Sequence, residues 1–150
     1  MIGSEFKIET LTDWNEIKQV LLLFDTSFPR SLSDRIGDFE DYARKLAENA
    51  VVYIISLEDN IIGFAACYCN EILTKQAYLA QIAVHDAYRG LHIGGELLEL
   101  CIESARQKGM KKLILEVDDD NIAAHRLYEK YKFYQSQKAS DGSHFFEKKL

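Results

Sequence analysis

"AYRGLHIGGELLE", residues 87–99, sets an arginine and three glycines immediately ahead of an apolar run with helical spacing. The whole chain of 150 residues has only 8 glycines and 1 proline, so this concentration marks a place where the backbone itself is being used. In a glycine-rich loop that enters a helix, successive amides can turn inward. The helix N-terminus adds partial positive charge, and the result is an anion cradle. Gly90, Gly94 and Gly95 leave room for close approach, and Arg89 adds a charged clamp suited to phosphate. No Gly-Lys-Ser/Thr follows, which excludes a Walker loop. The dinucleotide fingerprint also fits poorly: Glu116 lies about 20 residues further on, but a hairpin rather than a run of βα repeats precedes the loop. Taken alone, the loop is equally compatible with a tight turn that needs glycine for its geometry.

Outward from the loop, "AYLAQIAV" (77–84) reads as an apolar strand on one side, and on the other a helix is expected to about Lys108, with Gly109 at its C-cap. "KKLILEV" (111–117) is a second buried-strand candidate and "DDDN" (118–121) offers helix N-caps. "IAAHRLYEKY" (122–131) then predicts a short helix with Ala124, Leu127, Tyr128 and Tyr131 in one stripe. The tail, 133–150, splits at Asp141-Gly142 into two strands.

Upstream, "VVYIISLEDNIIGFAACYC" (51–69) is a hairpin turning at Asp59-Asn60, and a polar loop around Glu71 to Gln76 leaves it. Phe6 to Leu11 alternates weakly as a first strand. Trp14, Ile17, Leu21, Phe24 and Phe28 recur at helical spacing behind a Thr12 or Asp13 cap, and Pro29 is expected to end that helix. A second helix is expected from Ser33 or Asp34, with Phe39, Ala43 and Leu46 on one face. The order β α α β β β α β α β β implies one mixed α/β domain over residues 1–150, with helices on both faces of a sheet.

A hydrophobic content of 47% suits one domain with a proper core, and no apolar run approaches the roughly 20 residues of a membrane span. The formal net charge of −6 argues against nucleic acid as a partner, because phosphate-backbone binders cluster Lys and Arg. It suits a cationic acceptor such as an amine, although acidity serves solubility equally. Cys67, Cys69 and Cys101 are odd in number, and the Cys-x-Cys pair is read as turning its thiols to opposite faces of a strand. Neither a zinc site nor a disulfide framework is therefore expected; the three read as small core residues in a reducing compartment. No basic-then-apolar leader is seen and cytoplasm is the expected location; "GSEF" at 3–6 looks vector-derived, so residues 1–5 receive no functional weight.

"YRGLHIGGELL" (88–98) resembles the pyrophosphate-binding motif of the GNAT acyl-CoA N-acyltransferases, Arg/Gln-x-x-Gly-x-Gly/Ala, with Arg89 first and Gly94 last. The resemblance implies acetyl-CoA as co-substrate and no metal, the diphosphate being held across Arg89, Gly90, Leu91, His92, Ile93, Gly94 and Gly95. His92 replaces the first motif glycine; histidine is among the residues that tolerate positive φ. "YLAQIAVHDAYRG" (78–90) looks like the family's fourth strand, which parts from the fifth at a bulge and offers backbone groups at Ile82, Ala83 and Val84 to the pantetheine arm. "LILEVDDDNIAAHRLYEKYKF" (113–133) looks like the strand and helix that follow, with Lys132 in place of a usual glycine. The implied fold is a central mixed, mostly antiparallel sheet of about seven strands flanked by about four helices.

In the family so resembled, an amine attacks the thioester directly. Tyr128 then matches the tyrosine that protonates the departing coenzyme A; its alternative is packing within its apolar stripe. Glu116 matches a glutamate assigned as base in ribosomal-protein N-terminal acetyltransferases; its alternative is an exposed strand residue beside a water chain that carries the proton. The Val84 amide would steady the oxyanion, and Asn121 would bond the pantetheine or a water, unless it only caps its helix. Gln81 cannot be a base but can orient a water, and His85, His125 and Asp118 to Asp120 are left outside the reacting set. The acceptor is a small-molecule or peptide amine, shaped in that family by the regions 14–41 and 70–76. A homodimer stays open. The rivals are a non-catalytic acyl-CoA-binding module and a nucleotide-binding domain with the same loop.

Overall fold

The computed structural model describes residues 5–28 and 31–150, so Pro29 and Met1 to Ser4 lie outside the described residues. In chain order the elements are β1 (Phe6–Leu11), α1 (Trp14–Leu23), α2 (Leu32–Ile36), α3 (Phe39–Asn49), β2 (Ala50–Leu57), β3 (Asn60–Tyr68) and β4 (Gln76–Val84). A 3-10 turn at Asp86–Tyr88 leads to α4 (Ile93–Gln107), β5 (Lys112–Asp118), α5 (Ile122–Lys130), β6 (Tyr134–Ser140) and β7 (Ser143–Lys149). The strands bond in the order β1-β2-β3-β4-β5-β7-β6. β4–β5 is the parallel pair and the other pairs are antiparallel, which makes the sheet mixed and mostly antiparallel, as the family resemblance implies.

Among the described residues there are five α-helices where about four were expected. The expected second helix is divided, because Gly37 takes φ +69 after α2 and the Asp38 side chain restarts the chain by accepting from the Asp41 amide at 3.0 Å. The first helix does begin on an Asp13 cap, yet it ends at Leu23 with Phe24 as C-cap, short of the expected Phe28.

Both sheet faces are buried, which explains why β3 is apolar almost throughout. On one face α4 and α5 pack Leu97, Leu98, Leu113, Leu115 and Tyr128. On the other, α1 and α3 pack Ile17, Leu21, Leu46, Val52 and Phe64. Each buried Leu or Ile contributes about 1.5–3 kcal/mol. Contrary to the expectation from their spacing, Cys67 and Cys69 do not turn their thiols to opposite faces. Positions two apart share a strand face, and Cys67 and Cys69 both enter the α4 core with their Sγ atoms 3.6 Å apart. Hydrogen bonding to Cys101, followed by burial, pushes the Cys67 thiol pKa up, so it stays a protonated core group.

Two features of β4 open the fold. Pairing with β3 passes from Cys67↔Leu79 to Ala66↔Gln81, leaving Ala80 as an extra, bulged residue. After the bulge, Ile82 and Val84 face the α4 side while Ala83 joins the other core. Pairing between β4 and β5 covers Gln76↔Lys112 to Tyr78↔Ile114 and then stops, so the two strands part.

α5 ends in a left-handed residue. Lys132 has φ +72, the Phe133 amide donates to the Tyr128 carbonyl and the Lys132 amide to the Glu129 carbonyl, both at 3.0 Å. A side chain in this conformation is strained, so Lys132→Gly is expected to stabilise the protein by about 1 kcal/mol, roughly 2–4 °C in a thermal melt. No rise would mean that the lysine side chain offsets the strain.

Candidate active site

The parted strands separate two cavities. One, of about 690 Å³, is lined by Ile82, Ala83 and Val84, by Arg89, Gly90 and His92 to Gly95, and by Asn121, Leu127, Tyr128, Lys130 and Tyr131. The other, of about 520 Å³, is lined by Arg35, Tyr78, Gln81, Glu116, Asp118 and Asp141 among others. Phe28, Ile82, Asn121, Ala124 and Tyr128 line both, so the cavities meet where β4 leaves β5.

The loop that begins the α4 side is built by left-handed residues. Gly90 has φ +85, and His92 takes φ +64 as the N-cap of α4, so the histidine adopts the conformation of the glycine it replaces. The Glu96 amide donates to the His92 carbonyl at 3.0 Å and starts the helix. Among the described residues, the amides from Gly90 to Gly95 make no backbone hydrogen bond, as expected at a helix start. All of these residues but Leu91 line the larger cavity; Leu91 is about half exposed and is not brought into it.

The two motif glycines differ in kind. A Cβ on Gly95 would overlap the Tyr131 hydroxyl, so that glycine serves α4–α5 packing. A Cβ on Gly94 would meet only ordinary contacts with Leu127 and Val84, so packing does not require a glycine there, and its bare backbone faces the cavity. The Arg89 guanidinium lies 3.1 Å from the Asp86 carboxylate and donates to the Ser27 carbonyl at 3.4 Å.

The opposite wall is the freed edge of β4. The His85 amide donates to the Ile62 carbonyl at 2.8 Å, which makes Gly63↔Val84 a pair without mutual hydrogen bonds. The Val84 backbone groups therefore turn away from β3 into the gap, and by alternation so do those of Ile82. The Ala83 amide turns into the β3 ladder instead.

Tyr128 stands where the cavities join, 6% exposed, with its ring edge-on to Phe133 at 5.7 Å. Its hydroxyl has no hydrogen-bond partner among the described residues. Burial, and then the charge of Cys101, hold its phenol pKa well above the usual value. On β5, Glu116 Oε2 accepts from the Ser143 hydroxyl at 2.7 Å, and Ser143, 1% exposed, lies 2.7 Å from the Ser140 hydroxyl. Asn121 caps α5 by accepting from the Ala124 amide at 3.2 Å and also lines both cavities.

Gln81 lines the smaller cavity and is held by two side chains. Its carbonyl accepts from Arg35 at 3.2 Å and its amide donates to the Tyr42 hydroxyl at 3.0 Å. His85 caps the 3-10 turn by accepting from the Ala87 amide, and His125 contacts the Asp118 carbonyl at 3.1 Å; neither is among the residues lining these two cavities. The sequence reading missed Lys130 and Arg35. Lys130 was findable, three positions after Leu127 on the α5 face that meets the glycine loop. Nothing local marks Arg35.

Residues 14–133 match the sequence model of the Acetyltransferase (GNAT) family. A [Ribosomal protein bS18]-alanine N-acetyltransferase of Haemophilus influenzae is 40% identical over 78 residues, covering 51% of this chain and 51% of that protein. The crystal structure of the ribosomal-protein-S18-alanine N-acetyltransferase from Escherichia coli superposes with a TM-score of 0.78 at 20% identity, over 97% of this chain and 94% of that one. A Bacillus anthracis protein described as a streptothricin acetyltransferase, in complex with acetyl coenzyme A, gives a TM-score of 0.61 at 27% identity, over 68% of this chain and 63% of that one. The chain spans about half the length of the relatives it matches, from 37% to 60% for three of them.

Proposed function

Because this chain belongs to the Acetyltransferase (GNAT) family, we propose that it is an acetyl-CoA-dependent N-acetyltransferase, moving an acetyl group directly to a primary amine. The observation that carries the reading is the meeting of two cavities at the parted strands, with a row of unpaired amides on one side and Glu116 on the other. Gly94 supports the fit of a diphosphate, since its lack of a side chain answers to the cavity and not to packing.

Acetyl-CoA, when bound, supplies a thioester-activated acetyl group. The amides from Gly90 to Gly95 and the α4 N-terminus would hold its diphosphate, with Arg89 exchanging Asp86 for phosphate and Lys130 adding charge from α5. The freed edge at Ile82 and Val84 would pair with the pantetheine amides, and the Val84 amide would donate to the acyl oxygen as it gains charge. Tyr128 would donate its phenolic proton to the departing sulfur. Glu116, oriented by Ser143, would take the proton of the amine.

A Glu116 buried in an ion pair would favour a non-catalytic acyl-CoA-binding module. Instead Glu116 is exposed, lines the smaller cavity and forms no salt bridge among the described residues. The relatives' names point to protein N-termini and small-molecule amines as acceptors. Three free, buried thiols support a reducing, cytoplasmic setting, and no helix among the described residues is long and apolar enough to cross a membrane.

Titration calorimetry with acetyl-CoA, combined with coenzyme A release over a panel of amines, tests the reading. Heat with acetyl-CoA that ATP and NAD do not compete away is expected; its absence overturns the proposal. Lys130→Ala should weaken acetyl-CoA binding about threefold to tenfold, an effect that shrinks at high salt because the pair is exposed to solvent. Unchanged affinity would remove Lys130 from the phosphate contacts.

A further inference from the structure

The smaller cavity is lined by charge of both signs. Arg35 is held by two neighbours: its guanidinium donates to the Gln81 carbonyl at 3.2 Å and lies 4.9 Å over the Phe28 ring. Gln81 is 6% exposed and is itself fixed by its 3.0 Å bond to the Tyr42 hydroxyl, so a buried amide on β4 aims a cation from α2. No carboxylate pairs with Arg35 among the described residues. A guanidinium has five N–H donors in a planar fork, and most of them are left for whatever enters the cavity. Glu116, Asp118 and Asp141 line the same cavity. Tyr78 lines it too, and burial, then Glu116 and Tyr42, raise its phenol pKa while Arg35 lowers it.

We propose that the acceptor is a free amino acid, its carboxylate held by the Arg35 fork and its amine delivered to Glu116. The proposal rests on the reading of the smaller cavity as the acceptor side of an N-acetyltransferase. A planar carboxylate matches a guanidinium with two parallel hydrogen bonds. A polyamine would set a second ammonium against Arg35, and a neutral amine would leave the fork unused. A cavity of about 520 Å³ accommodates a small amino acid with room for its side chain.

The test compares coenzyme A release from acetyl-CoA with a panel of amino acids, each beside its own primary amide, and with spermidine and an uncharged tripeptide. For the best amino acid, kcat/KM is expected to exceed that of its amide by at least about tenfold. Arg35→Met should bring this ratio to about one by raising KM for the acid with kcat kept, and Arg35→Lys should restore part of it. Acetyl-CoA heat within about twofold of wild type would show that the variants are folded. Amides, spermidine or tripeptide used as well as the acids, or a ratio that survives Arg35→Met, overturns the Arg35 assignment alone. Acetyl-CoA binding with no release from any amine overturns this assignment and the enzyme reading together.

Discussion

Tyr128→Phe is expected to lower kcat for acetyl transfer about 10²–10³-fold while acetyl-CoA binds within about twofold of wild type. The substitution removes one oxygen and little else. The ring keeps its edge-on contact with Phe133 and its 6.4 Å neighbour Phe146, and the lost hydroxyl has no partner among the described residues, so a thermal melt should move little. A loss of rate without a loss of stability or binding is what separates a proton donor from a packing residue. The pH dependence adds a second test. Burial, then Cys101, raises the Tyr128 phenol pKa, so the protonated form persists above the ordinary value of about 10. The wild-type rate should therefore show no alkaline decline attributable to Tyr128 below about pH 10. An unchanged rate in the variant would remove Tyr128 from the reaction, whereas a decline near pH 9 that the variant lacks would keep Tyr128 in it and overturn the raised phenol pKa.

Local patterning made most of the fold legible. The β2–β3 hairpin, the strand-loop-helix-strand unit around residue 90 and the Asp13 cap all rest on residues within a few positions of one another. The split between α2 and α3 was not legible, because Gly37 interrupts an amphipathic pattern that continues on both sides of it. The bulge at Ala80 has no residue signature either; its expectation came from family resemblance. In the site, the glycine loop declared itself, as did the histidine able to stand at positive φ. The Arg35–Gln81–Tyr42 chain did not, since it joins residues 46 and 39 apart that only the packing of α2 and α3 over β4 brings together.

Glu116→Gln should lower kcat/KM at pH 7 by about 10²-fold, the usual contribution of a positioned base. Glutamine keeps the length of the side chain and an oxygen able to accept from Ser143, whose hydroxyl fixes Glu116 at 2.7 Å, so orientation survives and basicity alone is lost. The acceptor amine is mostly protonated at neutral pH, and without a base only its free fraction can react. The variant's rate should then climb about tenfold per pH unit until the amine titrates, whereas the wild type rises less steeply. Near pH 10 the two should converge to within a few-fold, and that rescue marks a base, because a merely structural defect persists at every pH. A variant as fast as wild type at pH 7 would send the proton through water instead. A deficit that pH does not close would make Glu116 a residue that shapes the cavity. In either case the smaller cavity would still need the amine delivered unprotonated, and Asp118, lining the same wall of β5, would become the group to replace next.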